Sequence, residues 1–222
     1  MDLEGRVAVI TGATGTLGRV VAREFARQGA SLALLSSNQT NLDALLAELE
    51  LPDERRLAHA ADLRTGDAAR TAADQIAQRF GAIHLLAHLV GGWIGGQELT
   101  ATSARDLESM LEQHVWTTFH LLKAFVPHIT SSGWGRVFVV SSPVAAQPTA
   151  KAGPYAVAKA AEEALMLLLA QEVRGSGVTA NIIQVRAIDA QHTRPEEIAA
   201  TMLFLCSAEG GRLNGARLPL VG

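Results

Sequence analysis

Val7-Ala8-Val9-Ile10-Thr11-Gly12-Ala13-Thr14-Gly15-Thr16-Leu17-Gly18 is the stretch on which the fold turns. Four apolar residues read as a buried strand, the glycines as a tight turn, and the following Val20, Val21, Phe25 and Ala26 recur at helical spacing. Strand, glycine turn and helix in that order is the arrangement a dinucleotide site requires. Glycine lets the backbone come close to a pyrophosphate, and the amides at the helix start supply donors and a positive partial charge. Outward from this unit the same alternation repeats. Strands are expected near 7–11, 31–36, 56–61, 83–90, 136–141, 178–185 and 216–220, and helices at 17–28, 40–50, 66–80, 103–130, 154–174 and 195–207. Repeated strand-helix-strand units with right-handed crossovers predict an α/β fold with a doubly wound, seven-stranded parallel sheet, a Rossmann fold formed as a single domain over residues 1–222.

A second constellation lies further along. Tyr155 and Lys159 stand at i and i+4 on an apolar helix, so a phenol and an ammonium share one face. A free phenol titrates near about pH 10, and a cation beside it favours the phenolate and lowers that value. Upstream, Val137-Phe138-Val139-Val140 reads as a buried strand running into Ser141-Ser142, which places the Ser142 hydroxyl at a strand's carboxyl end.

With these motifs the chain resembles the short-chain dehydrogenase/reductase family over nearly its whole length. The resemblance rests on Gly12 and Gly18, Asp62 in Ala61-Asp62-Leu63, Ser142, Tyr155, Lys159 and the ending Leu213 to Leu220. It implies an NAD(P)-dependent oxidoreductase in which Tyr155 protonates a carbonyl oxygen, Ser142 hydrogen-bonds that oxygen, and Lys159 holds the nicotinamide ribose while lowering the phenol's pKa. The implied cofactor contacts are Gly12, Thr14, Gly15, Thr16, Leu17, Gly18, Ser36, Ser37, Asn38, Asp62, Leu63, Val90, Gly91, Gly92, Tyr155, Lys159 and Val185.

The chain also departs from the family pattern. Thr16 stands at the usual middle glycine, with Gly15 one place early, and His88-Leu89-Val90-Gly91 replaces the Asn-Asn-Ala-Gly run. His114 occupies the place of the relay asparagine, and Val185-Arg186-Ala187 replaces a Pro-Gly. Only about ten residues separate the sixth strand from Pro195-Glu196-Glu197, where relatives insert a helical lid. Val90 to Gly96, with Val115-Trp116-Thr117, is similar to the dihydropteridine reductase branch, which points to reduction of an imine-like C=N as an alternative. The altered positions leave a noncatalytic dinucleotide-binding sensor as a rival from another class.

Several residues carry two readings. Ser36-Ser37-Asn38 bears no carboxylate to repel a 2′-phosphate, so NADP is favoured slightly over NAD. Asp62 is either a helix cap or an adenine contact. His114 either orders a water or carries protons, for which an unperturbed pKa of about 6.5 suits it, or is a helix histidine satisfied by a carbonyl. Trp93 either stacks on a flat substrate or is a core or interface residue. His84 and His88 sit about 13 Å apart along one strand, too far to share an ion, so no metal is expected.

Composition bounds the rest. The chain has 222 residues, a formal charge of −3 and one cysteine, Cys206. No Lys/Arg run marks a nucleic-acid surface, and no segment reaches the roughly 18 apolar residues of a membrane span. A cytoplasmic protein acting on a small-molecule substrate is expected. Ala160, Ala161, Ala164, Leu165, Leu167, Leu168 and Leu169 make the Tyr155 helix more apolar than one buried face needs, which points to a homodimer or homotetramer.

Overall fold

The structure is a computed structural model and describes residues 2–220. Seven parallel strands form one sheet in the order β3-β2-β1-β4-β5-β6-β7. The strands are β1 (Val7–Thr11), β2 (Ser31–Ser36), β3 (Arg56–Ala60), β4 (Leu85–His88), β5 (Gly135–Ser141), β6 (Val178–Val185) and β7 (Arg217–Leu220). The helices are α1 (Thr16–Arg27), α2 (Gln39–Leu49), α3 (Gly66–Phe80), α4 (Ala104–Met110), α5 (Thr117–Ser131), α6 (Gly153–Glu172) and α7 (Pro195–Cys206). This is the doubly wound Rossmann-type sheet the periodicity predicts.

Alternation along the strands divides the core into two layers. Ala8 and Ile10 point with Leu32, Leu34 and Phe138 to one face, where they pack on Val21 and Phe25 of α1, Leu42 of α2 and Met202 of α7. Val7 and Val9 point to the other, against Ala72 and Ile76 of α3, Phe125 of α5 and Met166 of α6. Each such side chain gains about 1.5–3 kcal/mol by leaving water. Because β1 pairs with β2 on one side and β4 on the other, the order in which successive strands are added to the sheet reverses there. At that switch point the carboxyl ends of β1 and β4 open a crevice.

Two expected boundaries change. The helix expected over 103–130 is broken by a π-helical segment at Leu111–Trp116. Its wider turn lets the Thr117 amide reach the Glu112 carbonyl, five residues back. β4 is shorter than the expected 83–90 and ends at His88, after which Leu89 to Glu98 run without regular structure.

Between β6 and α7, the segment 186–194 makes a small closed turn rather than a helix. Ile188 and Thr193 bridge, Asp189 Oδ1 accepts from the amides of Gln191 and His192, and the Thr193 hydroxyl donates to the Leu220 carbonyl at 2.6 Å.

Candidate active site

The turn after β1 is closed by glycine for steric reasons. Gly12 has φ +65°, and a Cβ there would lie 2.8 Å from the Leu89 carbonyl oxygen. A Cβ at Gly18 would meet the Gly12 oxygen at 2.3 Å and Ala13 at 2.7 Å. β1, the start of α1 and the loop after β4 therefore touch backbone to backbone. α1 begins at Gly15 with no side-chain cap and no acidic residue in its first turn. Its N-terminal donors and positive dipole end face a cavity of about 830 Å³, lined by Gly12, Thr14, Gly15, Thr16, Leu17 and Gly18. This cradle fits the pyrophosphate of a dinucleotide.

At the far end of the same cavity lie Ser36, Ser37, Asp62, Leu63 and Arg64. The Thr14 and Ser36 hydroxyls are 2.8 Å apart. Arg64 grips Asp62 with two bonds of 2.9 and 2.7 Å, and the guanidinium holds that carboxyl below its usual range. Asn38 does not line the cavity. It caps α2, accepting from the Asn41 amide at 2.9 Å.

A second cavity of about 600 Å³ continues the first. Leu17, Leu89, Val90, Gly91 and Ile188 border both, so the two form one cleft along the carboxyl edge of the sheet. This second part is lined by Ser142, Tyr155, Lys159, His114 and Trp93, with Gly92 and Val185 in its wall. Ser142 directly follows β5, and Pro143–Ala145 form a short turn beyond it. Tyr155 stands in the first turn of α6, its ring edge-on to His114 at 5.6 Å between centroids. Trp93 is 61% exposed, which rules out the core reading of that indole.

The electrostatics differ from the expectation in two respects. The Tyr155 phenol is pushed up to about 12 by burial, with the Glu162 carboxylate acting in the same direction. The ammonium that was to lower it, Lys159 Nζ, lies 6.0 Å from the ring centroid and is bound to Glu162 Oε2 at 2.6 Å and the Val140 carbonyl at 2.8 Å. The second correction concerns His114. Burial, then the nearby Lys159 charge, holds its imidazole down at about 3, so it is neutral near pH 7. Its Nε2 faces the Gly92 carbonyl at 3.0 Å and must donate to it, which leaves Nδ1 as a buried acceptor with no protein partner among the described residues.

His88 is also neutral, held down at about 3 by burial first. It faces the Thr11 hydroxyl through Nδ1 at 2.7 Å. Both histidines are protonated in the unfolded chain below about pH 6.5, yet stay unprotonated in the fold until about pH 3. In that window the unfolded state binds more protons, so stability falls as pH falls. Urea unfolding at a series of pH values should show this slope, and His114→Gln should flatten it by about one proton's worth. An unchanged slope would contradict the burial of a neutral imidazole.

Several lining residues carried no signal in the sequence. Gln113 donates from its amide to the Gly91 carbonyl, and Glu112 and Thr117 line the first cavity because the π segment turns them inward. Arg186 and Lys151 line the second. Lys151, at φ +67°, adopts a left-handed backbone that its side chain disfavours.

Fold and cleft together define an α/β protein of the dinucleotide-binding class. The model of the short chain dehydrogenase family matches residues 6–200, and the chain belongs to that family. It is an NAD(P)-dependent oxidoreductase. Among its relatives, 7alpha-hydroxysteroid dehydrogenase of Escherichia coli (strain K12) is 26% identical over 244 aligned positions, covering 100% of this chain and 95% of that protein. D-threitol dehydrogenase of Mycolicibacterium smegmatis is 28% identical, covering 99% and 93%. A short-chain type dehydrogenase/reductase from Mycobacterium ulcerans superposes with a TM-score of 0.92 at 24% identity, over 99% of this chain and 90% of that one. A 3-ketoacyl-(acyl-carrier-protein) reductase from Brucella melitensis, solved with NADH, gives 0.90 at 21%, over 100% and 98%.

Proposed function

We propose that this protein reduces a small carbonyl compound, with Tyr155 as proton donor, Ser142 as the hydrogen-bond donor to the reacting oxygen and Lys159 as the residue that holds the cofactor ribose. The observation that carries the reading is the single cleft in which the glycine cradle and these three side chains meet. A bound nicotinamide supplies the hydride. The Tyr155 hydroxyl, which makes no hydrogen bond to protein among the described residues, would give its proton to the reacting oxygen. Gly12, Gly15, Gly18 and the first amides of α1 would bind the pyrophosphate, and Leu63 and Val90 would flank the adenine and ribose. His114 braces the Gly92 loop.

NADP is favoured over NAD. Ser36 and Ser37 offer hydroxyls to a 2′-phosphate, and Arg64 neutralises the nearby Asp62. Comparing the dissociation constants of NADPH and NADH by nicotinamide fluorescence tests this, and a tighter NADH complex overturns it. The reading as a whole is tested by incubating the protein with either reduced cofactor and a panel of ketones, aldehydes and quinonoid pterins while following nicotinamide absorbance. Loss of absorbance is expected with one subset of the panel. Tight cofactor binding with no turnover across the panel would return the protein to a sensor role.

Association through copies of the chain fits the exposed apolar side chains. Trp116 (52%) and Phe119 (41%) on the π segment and α5, and Val157 (49%) and Leu168 (56%) on α6, stand in water in one chain. A homodimer or homotetramer would cover them. No helix of the described residues is long and apolar enough to cross a membrane, and work in the cytoplasm on a small-molecule substrate is the setting we infer.

A further inference from the structure

On α6 four residues depart from the usual burial pattern. Val157 and Leu168 face outward, while two adjacent acids, Glu162 and Glu163, are each 1% exposed. Glu163 is accounted for by the sheet, accepting from Gln184 Nε2 at 2.8 Å and Arg217 Nε at 2.6 Å. Glu162 turns the other way, toward the candidate acid-base centre. Its Oε2 accepts from Lys159 Nζ at 2.6 Å and its Oε1 from the Thr118 hydroxyl at 3.1 Å. His88 Nε2 lies 3.9 Å from the same Oε1, too far for a bond.

This arrangement leaves Glu162 one cationic partner. His88 on β4 and His114 on the π segment are both neutral, and Glu163 on its own helix is bound elsewhere. The Lys159 ammonium donates one hydrogen bond to Glu162 and another to the Val140 carbonyl. Tyr155, two helical turns before Glu162 on the same face, therefore sees a cation and an anion together instead of a cation alone. The other charges facing the phenol are Lys151 and Arg186, across the cavity and in contact with water.

Resting on the reading of Tyr155 as the proton donor, we propose that Glu162 is a positioning residue of this centre. Its carboxylate ties down the Lys159 ammonium and cancels that charge at the Tyr155 hydroxyl, so the phenol stays a donor and the site works in the direction of carbonyl reduction into alkaline solution.

Tyr155 is the chain's single tyrosine, so the phenolate band in the near ultraviolet reports on it alone, without substrate or cofactor. Wild-type protein and the variants Glu162→Gln, Glu162→Leu and Glu162→Asp are titrated with alkali, and far-ultraviolet circular dichroism marks the range in which each stays folded. In the wild type the phenol is expected to ionise only above the free value of about 10, or together with unfolding. In Glu162→Gln it should ionise in the folded protein at least about one pH unit lower, a tenfold change in the proton equilibrium. Glu162→Leu should act in the same direction, which covers a failure of the amide variant to fold. Glu162→Asp should keep the wild-type midpoint. Midpoints in the Gln and Leu variants equal to or above the wild type would overturn the proposal. A loss of turnover in Tyr155→Phe alongside an unmoved midpoint in Glu162→Gln would sink this inference alone. Full turnover in Tyr155→Phe would sink the catalytic reading and leave the titration result standing.

Discussion

Tyr155→Phe should lower turnover by about 10²–10⁴-fold, the usual contribution of a positioned acid-base group, with cofactor affinity and stability close to wild type. The separation between activity and the other two properties follows from the surroundings of the side chain. The phenol oxygen has no hydrogen-bond partner in the protein among the described residues, so its removal orphans no donor or acceptor. The ring's edge-on contact with His114 survives in phenylalanine. A change that leaves packing and hydrogen bonds intact moves stability by only about 0.5 kcal/mol or less. Steady-state rates with NADPH, a fluorescence titration of cofactor and a thermal melt make the comparison. Wild-type turnover in the variant would remove Tyr155 from the chemistry.

Gly18→Ala should act through shape and affect binding and stability together. The added methyl carbon would sit 2.3 Å from the Gly12 oxygen and 2.7 Å from Ala13, and both are backbone atoms of the turn. Neither can swing aside, so the start of α1 must move off β1. Overpacking of this kind costs about 1–3 kcal/mol. Displacing the amides that face the pyrophosphate should weaken cofactor binding by roughly tenfold or more, each tenfold being about 1.4 kcal/mol. Gly15→Ala is the control. Gly15 has φ −73°, and its added carbon would meet only the Gly12 oxygen, at 3.4 Å. Urea unfolding and cofactor titration on both variants should therefore show a large effect at Gly18 and a small one at Gly15, and equal effects would refute the steric account.

Much of this molecule was legible in the sequence because its signals are local. Val7 to Gly18 contains a strand, a turn and a helix start, each with its own composition, and the seven strands fall within a few residues of their expected places. The resemblance carried by Ser142, Tyr155 and Lys159 placed one wall of the cleft. What could not be read depends on contacts between distant segments. Leu111 to Trp116 keeps a helical composition, and six residues are too few for periodicity to separate a π turn from an α turn. Asn38 reads equally well as a ligand contact or a cap, and its bond to the Asn41 amide exists only once α2 has formed. The influence of Lys159 on Tyr155 was misjudged for the same reason. The pair is one helical turn apart in sequence, but the charge that opposes it belongs to Glu162, whose burial depends on contacts with the distant Thr118 and His88.

The brief turn spanning residues 186–194 has a kinetic corollary. Pinned at Thr193 to the last strand and knotted upon itself by Asp189, it contains no hinged flap that must swing before a product can depart. On the proposed function, this side of the cleft stays open to bulk solvent, and elongated compounds are expected to protrude past it.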